Sequence, residues 1–273
     1  MNLEEIKVSV IISVLNAEKT IENCLNSIIN QEHKNIEIIV VDGKSKDNTV
    51  SIIEQFISKI HFFISEPDNG IYDAWNKALK QVTGQWVCFI GSDDILLNGG
   101  IKEMLQLAKR PEVNFISAKV MLVDEFGNDV VEIGKPWNSN ALKKGLGIVH
   151  CGALHSNSLF FNEIFDSNFK IAGDFEFLSR ISKHIKATFL NEVTVKMFYG
   201  GVSRNKINKV IFETCIILWK NNSFSKFYAF KYFINAHLRN IIRNIFFKIP
   251  LLNRLYNNFK KINCRDLYVK HNE

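Results

Sequence analysis

Short apolar segments alternate with amphipathic segments through the first 110 residues, and this alternation is the feature that most constrains the fold. Four apolar segments rich in β-branched and aromatic residues have the length of buried strands: Val8–Val14, Ile36–Val41, His61–Ser65 and Trp86–Ile90. The stretches between them carry apolar residues three and four positions apart, which is helical spacing. A strand–helix–strand order predicts a mostly parallel sheet with helices on both faces. The predicted fold class is therefore α/β.

Helices are predicted over Thr20–Asn30, after Asn48, over Tyr72–Thr83 with Gly84 closing the helix, and from Asn98 to about Lys109. Beyond residue 112 the pattern is less regular. It predicts strands at 115–118 and 121–123, a hairpin turn at 124–128, mostly loop over 135–158, and a helix that starts near Gly173. No Gly-x-Gly-x-x-Gly follows the first strand, which disfavours a dinucleotide-binding Rossmann domain.

Charge is distributed unevenly along the 273 residues. Residues 204–273 contain 14 Lys and Arg but only three acids, a formal charge of +11, so the first 203 residues carry −5 of the overall +6. Such asymmetry indicates two parts with different partners. We therefore expect two parts: a mildly acidic body over residues 1–203 and a basic helical extension over residues 204–273.

The extension has an amphipathic pattern. One helical stripe is apolar and consists of Phe227, Phe230, Ile234, Leu238, Ile241 and Ile245. Lys231, Arg239 and Arg243 occupy another stripe of the same predicted helix. This pattern is typical of helices that lie on an anionic membrane surface, although a helical lid packed on the body would have it too. The apolar stripe argues against nucleic-acid binding.

The sequence argues against a secreted, a membrane-spanning and a disulfide-rich protein. The first seven residues carry two acids where a secretory leader carries basic residues, and the apolar run from Val8 to Leu15 is too short for a membrane span of about 20 residues. We therefore expect neither a leader nor a membrane-spanning helix. The five cysteines are widely spaced without a Cys-x-x-Cys pair, which indicates small buried side chains rather than a disulfide scaffold.

Polar clusters follow three of the predicted strands. They are Asp42, the loop Asp68–Gly70, and the pair Asp93 and Asp94. Because the carboxyl ends of parallel strands form one edge of a sheet, these clusters should converge there. Adjacent carboxylates repel each other and suit Mg²⁺ or Mn²⁺ with substrate phosphates, although a loop that caps the helix at Asn98 is the alternative. For Asp42, contact with a base or ribose competes with a simple Asx-turn.

Four motifs resemble those of glycosyltransferase family 2, in the same order and at similar spacing. They are Val8–Asn16, Val40–Thr49, Ser65–Lys77 and Phe89–Asp94. The resemblance covers about residues 6–203 and is closest to the branch that builds bacterial surface polysaccharides. It implies a GT-A-type, Rossmann-like fold, a nucleotide-diphosphate sugar donor, most simply a UDP-sugar, a divalent metal (Mn²⁺ or Mg²⁺), and inversion at the anomeric carbon.

The same resemblance assigns the donor side of the site. It implies that Asp42 contacts the nucleobase, that Asp93 is the main metal ligand, and that Asp94 lies at the ribose or sugar. Three further residues would face the donor: Asn16, Asp73 and Asn76. Gly91 departs from the family pattern, because many members carry the first acid of Asp-x-Asp at this position.

A sugar hydroxyl that attacks the anomeric carbon needs a base to accept its proton. In the family this base is an acid at the start of a helix, and His155–Phe161 and Ile171–Phe177 resemble the segments around it. The resemblance thus implies Asp174 as the catalytic base, with Glu176 as the fallback and a candidate acceptor contact. A plain helix N-cap is the alternative for Asp174. His155 is either an acceptor or phosphate contact or a structural side chain.

The sequence therefore predicts an inverting glycosyltransferase that is cytoplasmic and peripheral at the inner face of the cell membrane. The resemblance and the basic extension together favour a glycan acceptor carried on a polyprenyl diphosphate. Two alternatives stay open: a metal-dependent phospho- or nucleotidyltransferase that uses the same acidic edge, and an inactive sugar-nucleotide-binding subunit.

Overall fold

The computed structural model describes residues 3–139, 148–198, 206–220, 227 and 229–238. The strands within these residues are β1 (Val8–Val14), β2 (Ile36–Asp42), β3 (Phe62–Ser65), β4 (Trp86–Gly91), β5 (Ile95–Leu96), β6 (Phe115–Val123), β7 (Asp129–Ile133), β8 (Ala153–Ser156) and β9 (Ala187–Phe198). The α-helices are α1 (Ile21–Ile29), α2 (Thr49–Gln55), α3 (Ile71–Leu79), α4 (Gly100–Leu107), α5 (Gly173–Arg180) and α6 (Ile207–Lys220). Residues 229–238 are also helical.

The strands form one sheet in the order β3-β2-β1-β4-β8-β6-β9-β5, with β7 paired to β6. The first four strands in this order are parallel, as the alternating pattern predicts. Strand β8 then pairs antiparallel with both β4 and β6, and β9 returns parallel to β6. The predicted α/β class is confirmed, and the sheet is mixed because its second half adds antiparallel pairs.

Strand β1 lies at the centre of the parallel half and has an apolar core on each face. Val8, Val10, Ile12 and Val14 point to the core that α1, α2 and α4 cover. Ile11 points to the opposite core, which α3, α5 and α6 cover. This alternation along β1 is the period-two pattern of a strand buried on both faces.

Glu37 on β2 is a buried carboxylate at the amino end of the parallel strands. It accepts hydrogen bonds from the Ser9 hydroxyl on β1 and from the Thr83 backbone N–H (2.7 Å), and its Oε2 lies 2.6 Å from the Lys7 ammonium. Gly84 also donates its N–H to this carboxylate, at 3.1 Å. Helix α3 ends at Leu79, four residues before the predicted end at Thr83, and Glu37 holds the Thr83–Gly84 turn that follows.

The structure corrects two further expectations. Residues 153–156, within the predicted loop 135–158, form strand β8 in the interior of the sheet. The two predicted strands at 115–118 and 121–123 are one continuous strand, β6, and the turn that follows it joins β6 to β7 as expected. The sequence of β8, Ala-Leu-His-Ser, is too short and too mixed to give a strand pattern, and its pairing comes from its neighbours.

Part of the predicted extension packs on the body. Helix α6 buries Ile217 and Leu218 in the same core as α3 and α5, and Ala229 of the following helical residues belongs to that core too. Four residues of the two predicted stripes lie outside the described residues: Arg239, Ile241, Arg243 and Ile245. Among the helices that the structure describes, none combines the length and apolarity of a membrane span.

The cysteines within the described residues are free thiols. Cys24, Cys88 and Cys151 are buried, and burial raises the pKa of each. Their expected role as small buried side chains is confirmed, while Cys264 lies outside the described residues.

Candidate functional site

The carboxyl ends of three neighbouring strands form the edge at which the predicted polar clusters lie. The register of the sheet pairs Val14 of β1 with Asp42 of β2, and Ser13 of β1 with Gly91 of β4. The loops that start at Asn16, Gly43 and Ser92 therefore leave the sheet side by side. This arrangement is the crevice in which open α/β sheets bind their ligands.

Asp42 is fully buried at the end of β2. Its carboxylate accepts hydrogen bonds from the Ser45 backbone N–H (3.0 Å), from the Ser45 hydroxyl and from the Ser65 hydroxyl (2.6 Å). Three of about four acceptor positions of the carboxylate are thus taken by the protein. These hydrogen bonds are the ones expected for an Asx-turn at Asp42. They also hold the carboxylate in a fixed position at the edge of the sheet.

Asn16 ties the loop after β1 to the loop after β2. Its backbone N–H donates to the Ser45 hydroxyl (2.7 Å), and its side-chain oxygen accepts the Lys46 N–H at 2.9 Å. Its φ of 51° lies in the left-handed region that Asn tolerates better than most residues. The exposed Asn16 therefore shapes the surface of the crevice beside Asp42.

The loop after β3 approaches the loop after β2 closely. A Cβ at Gly43 would lie 2.6 Å from Oδ2 of Asp68, so glycine allows the Asp68 carboxyl to lie against the backbone there. Asp68 accepts the Gly70 N–H at 2.8 Å, and Asp73 in the first turn of α3 accepts the Asn69 N–H at 2.9 Å. Gly43 and Asp68 are site residues that the sequence analysis did not assign individually, although both lie within the quoted motifs.

Asp93 and Asp94 follow β4, and both carboxyls fold back toward Gly91. Asp94 is only 4% exposed and accepts the Gly91 N–H at 2.9 Å. Burial and the neighbouring Asp93 charge raise the pKa of Asp94 to about 7, and burial raises the pKa of Asp93 as well. A Cβ at Gly91 would lie 2.9 Å from an oxygen of each carboxyl. Glycine at position 91, where many family members carry an acid, therefore leaves room for the carboxyls of Asp93 and Asp94.

These two carboxyls fit a divalent cation. Their raised pKa values mean that the doubly charged pair is unfavourable without a compensating positive charge. Within the residues that the structure describes, no cluster of three or more potential protein ligands occurs. Mg²⁺ is commonly held by one or two carboxylates together with substrate phosphates, so a two-carboxylate site meets its needs.

Asp174 lies in the first turn of α5 and contacts α3. Its Oδ1 is 3.1 Å from the Tyr72 hydroxyl and accepts the Phe175 N–H at 2.8 Å. Burial raises the pKa of the Asp174 carboxyl, which is the direction that a general base near neutral pH requires. Tyr72 was not singled out from the sequence, although it lies within the motif Ser65–Lys77.

The segment before Asp174 reaches the crevice. The Lys170 ammonium donates to the Asn69 carbonyl oxygen, and its side chain lies 3.4 Å from a Cβ placed on Gly70. The structure thus brings a segment 100 residues away in the chain to the loop after β3. Asp174 therefore belongs to the same end of the molecule as the Asp68–Gly70 loop.

Glu176 faces away from Asp174. It is buried and pairs with Arg180 one turn later on α5, with Oε1 2.9 Å from the Arg180 Nε. Arg180 also contacts Glu163. Glu176 thus lies on the Arg180 side of α5, whereas Asp174 lies on the Tyr72 side, as positions i and i+2 of a helix require.

Two predicted site residues have structural contacts. His155 on β8 is fully buried among Phe89, Phe115 and His150, and burial lowers its pKa to about 3. An acceptor or phosphate contact needs an accessible imidazole, which this position does not provide. The Asn76 side chain donates to the Phe165 carbonyl (2.8 Å) and accepts the Phe165 N–H (3.0 Å), so it ties α3 to the 160s loop.

The fold and the crevice define a class of protein: an α/β domain with an acidic loop after its fourth strand and a buried carboxyl at a helix start. The model of the family described as Glycosyl transferase family 2 matches residues 9–169. The chain therefore belongs to glycosyl transferase family 2.

Curated relatives are bacterial. The chain is 28% identical over 123 residues to the Escherichia coli protein UDP-Glc:alpha-D-GlcNAc-diphosphoundecaprenol beta-1,3-glucosyltransferase WfgD, covering 45% of this chain and 49% of that protein. It is 30% identical over 142 residues to the Campylobacter jejuni GalNAc(5)-diNAcBac-PP-undecaprenol beta-1,3-glucosyltransferase, covering 50% of this chain and 44% of that protein. The chain thus spans less than half the length of these relatives.

Solved structures share the fold. S. aureus TarS (residues 1–349) in complex with UDP-GlcNAc superposes with a TM-score of 0.64 at 21% identity, over 85% of this chain and 73% of that one. The mannosyltransferase PcManGT from Pyrobaculum calidifontis in complex with GDP-Man and Mn²⁺ gives a TM-score of 0.61 at 16% identity, over 96% and 82%. These likenesses establish the GT-A glycosyltransferase fold of the chain.

Proposed function

We propose that the chain transfers a sugar, with inversion, from a nucleoside-diphosphate sugar to a hydroxyl of a lipid-linked glycan in bacterial cell-surface polysaccharide synthesis. The observation that carries the proposal is the convergence at one end of the molecule of Asp93–Asp94, the Asp68–Gly70 loop and the segment leading to Asp174. Donor and base chemistry need these parts together. Family membership supplies the reaction class.

On the donor side, the crevice offers a rigid carboxylate at Asp42 and the exposed Asn16 beside it. Because Asp42 is fully buried, it would shape the nucleobase side of the crevice by holding Ser45 in place and not by direct contact. Asp94, which is 4% exposed, would be the residue at the ribose or the sugar. We take a UDP-sugar as the first donor to test, because TarS binds UDP-GlcNAc and WfgD is a UDP-Glc transferase by name.

Asp93 is the residue that would hold a divalent cation, Mn²⁺ or Mg²⁺. Such a cation, as found in the PcManGT complex, supplies positive charge for the departing diphosphate. The chain's own contribution is the acidic loop, which Gly91 keeps compact through the Asp94 contact.

On the acceptor side, Asp174 would act as general base. The acceptor hydroxyl oxygen forms a bond to the anomeric carbon while the bond from that carbon to the diphosphate oxygen breaks. The hydroxyl proton passes to the Asp174 carboxylate, and the electron pair of the broken bond leaves with the diphosphate. This single displacement inverts the anomeric centre and requires no covalent enzyme nucleophile.

The lipid-linked acceptor is supported by the names of WfgD and the Campylobacter jejuni relative, which act on undecaprenol-linked glycans. The C-terminal helices supply a matching surface. Their exposed apolar side chains include Phe212, Phe227, Phe230, Ile234 and Leu238. We propose that this surface rests on the anionic inner face of the cell membrane, so that the site lies near its lipid-linked substrate.

The first experiment is calorimetric titration of UDP, GDP and their common sugar conjugates with Mn²⁺, Mg²⁺ or EDTA. We expect metal-dependent binding of one nucleotide that is lost in Asp93→Ala and kept in the control Asp129→Ala, which changes an exposed carboxylate on β7. The absence of nucleotide binding under every metal condition would overturn the proposal.

The second experiment is transfer to a lipid-linked acceptor by the wild type and by Asp174→Asn. We expect the variant to bind donor normally and to lose transfer by about 100- to 10,000-fold. Sugar transfer at the wild-type rate by Asp174→Asn would exclude Asp174 as the base and leave Glu176 as the candidate. A phospho- or nucleotidyltransferase would show no sugar transfer, and its own activity would be unchanged in Asp174→Asn. Donor binding without any transfer by the wild type would identify an inactive binding subunit.

A further inference from the structure

Three consecutive backbone N–H groups converge on one side chain of helix α6. Lys170 donates to Oε1 of Glu213 at 3.0 Å, and Ile171 and Ala172 both donate to Oε2 at 2.9 Å. The acceptor carboxylate is 5% exposed and lies in the middle of α6, about 40 residues further along the chain. The Glu213 side chain thus accepts the hydrogen bonds of all three backbone N–H groups of residues 170–172, just before Asp174.

The cation paired with Glu213 is the Lys209 ammonium, which is 4.0 Å from Oε1 and half-exposed. An ion pair this long and this open to solvent does not by itself explain why the carboxylate is buried. A buried carboxylate needs hydrogen-bond donors, and here the donors come from the segment 170–172. The carboxylate and the backbone segment therefore fix each other in place.

The opposite side of the segment is fixed by α3. The Tyr72 hydroxyl lies 2.7 Å from the Ile171 carbonyl oxygen and 3.1 Å from Oδ1 of Asp174, and its one proton is shared between these two acceptors. A Cβ on Gly173 would lie 2.7 Å from the Tyr72 ring, so the glycine allows the segment to lie directly on that ring. Glu213 on one side and Tyr72 on the other set the position at which α5 begins.

We infer that Glu213 is a positioning residue for Asp174, so that helix α6 of the C-terminal region is a working part of the catalytic machinery. Glu213 touches neither substrate nor the reacting atoms. It acts by holding the backbone of residues 170–172, and a shift of that backbone displaces the Asp174 carboxyl from the acceptor hydroxyl. The inference rests on the proposed function, in which Asp174 is the base.

Helix α6 also connects this carboxylate to the proposed membrane surface. Phe212, the residue before Glu213, is exposed, and the Cys215 thiol lies 3.3 Å from the Ala229 carbonyl oxygen of the next helical residues. One side chain of the proposed lipid surface, Phe212, therefore lies on the same helix as the carboxylate that holds the base segment, and the others lie on the helical residues that contact this helix.

The test is a comparison of Glu213→Gln and Glu213→Ala with the control Glu192→Gln, which makes the same charge change at an exposed position of β9. The Gln side chain keeps one acceptor oxygen, so its effect should be smaller than that of Ala. We expect kcat for sugar transfer to fall about 10- to 100-fold, as for a small misplacement of a catalytic group, with the donor Kd within about twofold of wild type. Glu192→Gln should match the wild type in both.

A double variant separates positioning from a general loss of structure. If Glu213 acts through Asp174, Glu213→Gln adds no further loss of kcat in an Asp174→Asn background. Hydrogen exchange of the amides of residues 170–172 should be faster in Glu213→Gln and unchanged in Glu192→Gln. These two results together support the inference.

The outcomes that oppose it are distinct from those that oppose the proposed function. Wild-type kcat in Glu213→Gln, with Asp174→Asn inactive, overturns the positioning role and leaves the base assignment intact. Equal additional losses from Glu213→Gln in both backgrounds also overturn it, since they indicate a structural role alone. Wild-type activity in Asp174→Asn removes the base assignment, and the inference fails with it.

Discussion

At the scale of single residues, burial and the contact with Tyr72 act in opposite directions on the pKa of Asp174. Within the described residues, the ionisable groups that face Asp174 are Tyr72 on α3 and Glu213 on α6. Burial raises the pKa of Asp174, the nearby Glu213 charge acts in the same direction, and the Tyr72 hydrogen bond lowers the pKa. Because only the carboxylate form accepts a proton, activity should fall on the acidic side as pH drops through this raised pKa.

Tyr72→Phe tests this contact directly. The variant removes the hydrogen bond that lowers the Asp174 pKa, so the acidic limb of the kcat profile should move to higher pH than in the wild type. The measurement is kcat against pH between about 4 and 9 at saturating donor, with donor affinity as the control. An acidic limb at the same pH as in the wild type, or at a lower pH, would mean that the Tyr72 hydroxyl does not affect the titration of Asp174.

Gly91 is a second single residue that affects the candidate site. An acid at position 91 would restore the first carboxylate of Asp-x-Asp, but the Cβ of any side chain there would lie 2.9 Å from oxygens of Asp93 and Asp94. Displacing Asp94 also breaks its hydrogen bond with the Gly91 N–H. The local packing therefore favours glycine over an acid.

We expect Gly91→Ala to weaken cation-dependent donor binding by about tenfold, the size of effect seen when support of a metal ligand is disturbed. Gly91→Asp should give a loss at least as large. Calorimetric titration of donor with Mn²⁺ measures both. Tighter donor binding by Gly91→Asp would contradict the packing argument.

At the scale of elements, Glu37 joins β1, β2 and the turn before β4. Burial raises its pKa, but hydrogen bonds from Lys7, Ser9 and Thr83 outweigh burial and lower the pKa to about 2. The folded-state pKa is therefore below the ordinary value of 4.5, so the charged form contributes stability above pH 4.5. This contribution is lost as pH falls from about 4.5 toward 2.

Glu37→Gln should lower the free energy of unfolding by roughly 2 kcal/mol at pH 7, because it removes the charge from a buried set of hydrogen bonds. The difference from wild type should shrink as pH approaches 2. Denaturant unfolding at pH 7 and at pH 3 measures it. The control Glu32→Gln, which affects an exposed pair with Lys102, should leave unfolding nearly unchanged at both values. A difference that did not depend on pH would contradict the assigned cause.

Elements with a strong hydrophobic pattern were predictable from the sequence. Elements whose structure depends on pairing with neighbouring strands were not. The parallel strands β1 to β4 have unbroken apolar segments, and their order follows from alternation with helices. Strand β8 has four residues of mixed character and owes its place to pairing on both sides. Strand β9 was not predicted because few of its 12 residues are buried, so its hydrophobic pattern is weak.

The residues of the candidate site also include some that were predictable from the sequence and some that were not. Asp42, Asp93 and Asp94 were predictable because each follows a strong strand at a sheet edge. Tyr72 and Glu213 were not, because a tyrosine on an apolar helix face and one acid in a basic region have no pattern of their own. Their roles arise only when α3, α5 and α6 pack together, and that contact joins residues about 100 and 40 positions apart.

At the scale of the whole molecule, the predicted boundary at residue 203 separates two charge compositions but not two cores. Helix α6 and Ala229 contribute to the core that α3 and α5 cover. Helix α6 thus packs on the body with one face, while Phe212 on the same helix is exposed. A region can serve both purposes, because packing uses one face of a helix and a membrane contact uses the other.

The membrane contact gives the last prediction. Phe227 and Phe230 are 74% and 60% exposed, and the region around them is strongly basic in sequence. A double Phe227→Ser, Phe230→Ser variant should bind vesicles containing anionic phospholipid about tenfold more weakly than wild type, because two apolar side chains no longer enter the interface. Cosedimentation with vesicles measures this, and added salt should weaken binding of both proteins.

The matched control for that variant is Phe126→Ser, since Phe126 is 80% exposed in the turn between β6 and β7. It removes an equally exposed aromatic ring outside the C-terminal helices and should leave vesicle binding unchanged. Equal losses from both variants would indicate a general effect of surface hydrophobicity. Wild-type binding by the double variant would assign residues 227–238 to a lid or a protein contact, and the lipid-linked acceptor would then have to reach the site without an anchored enzyme.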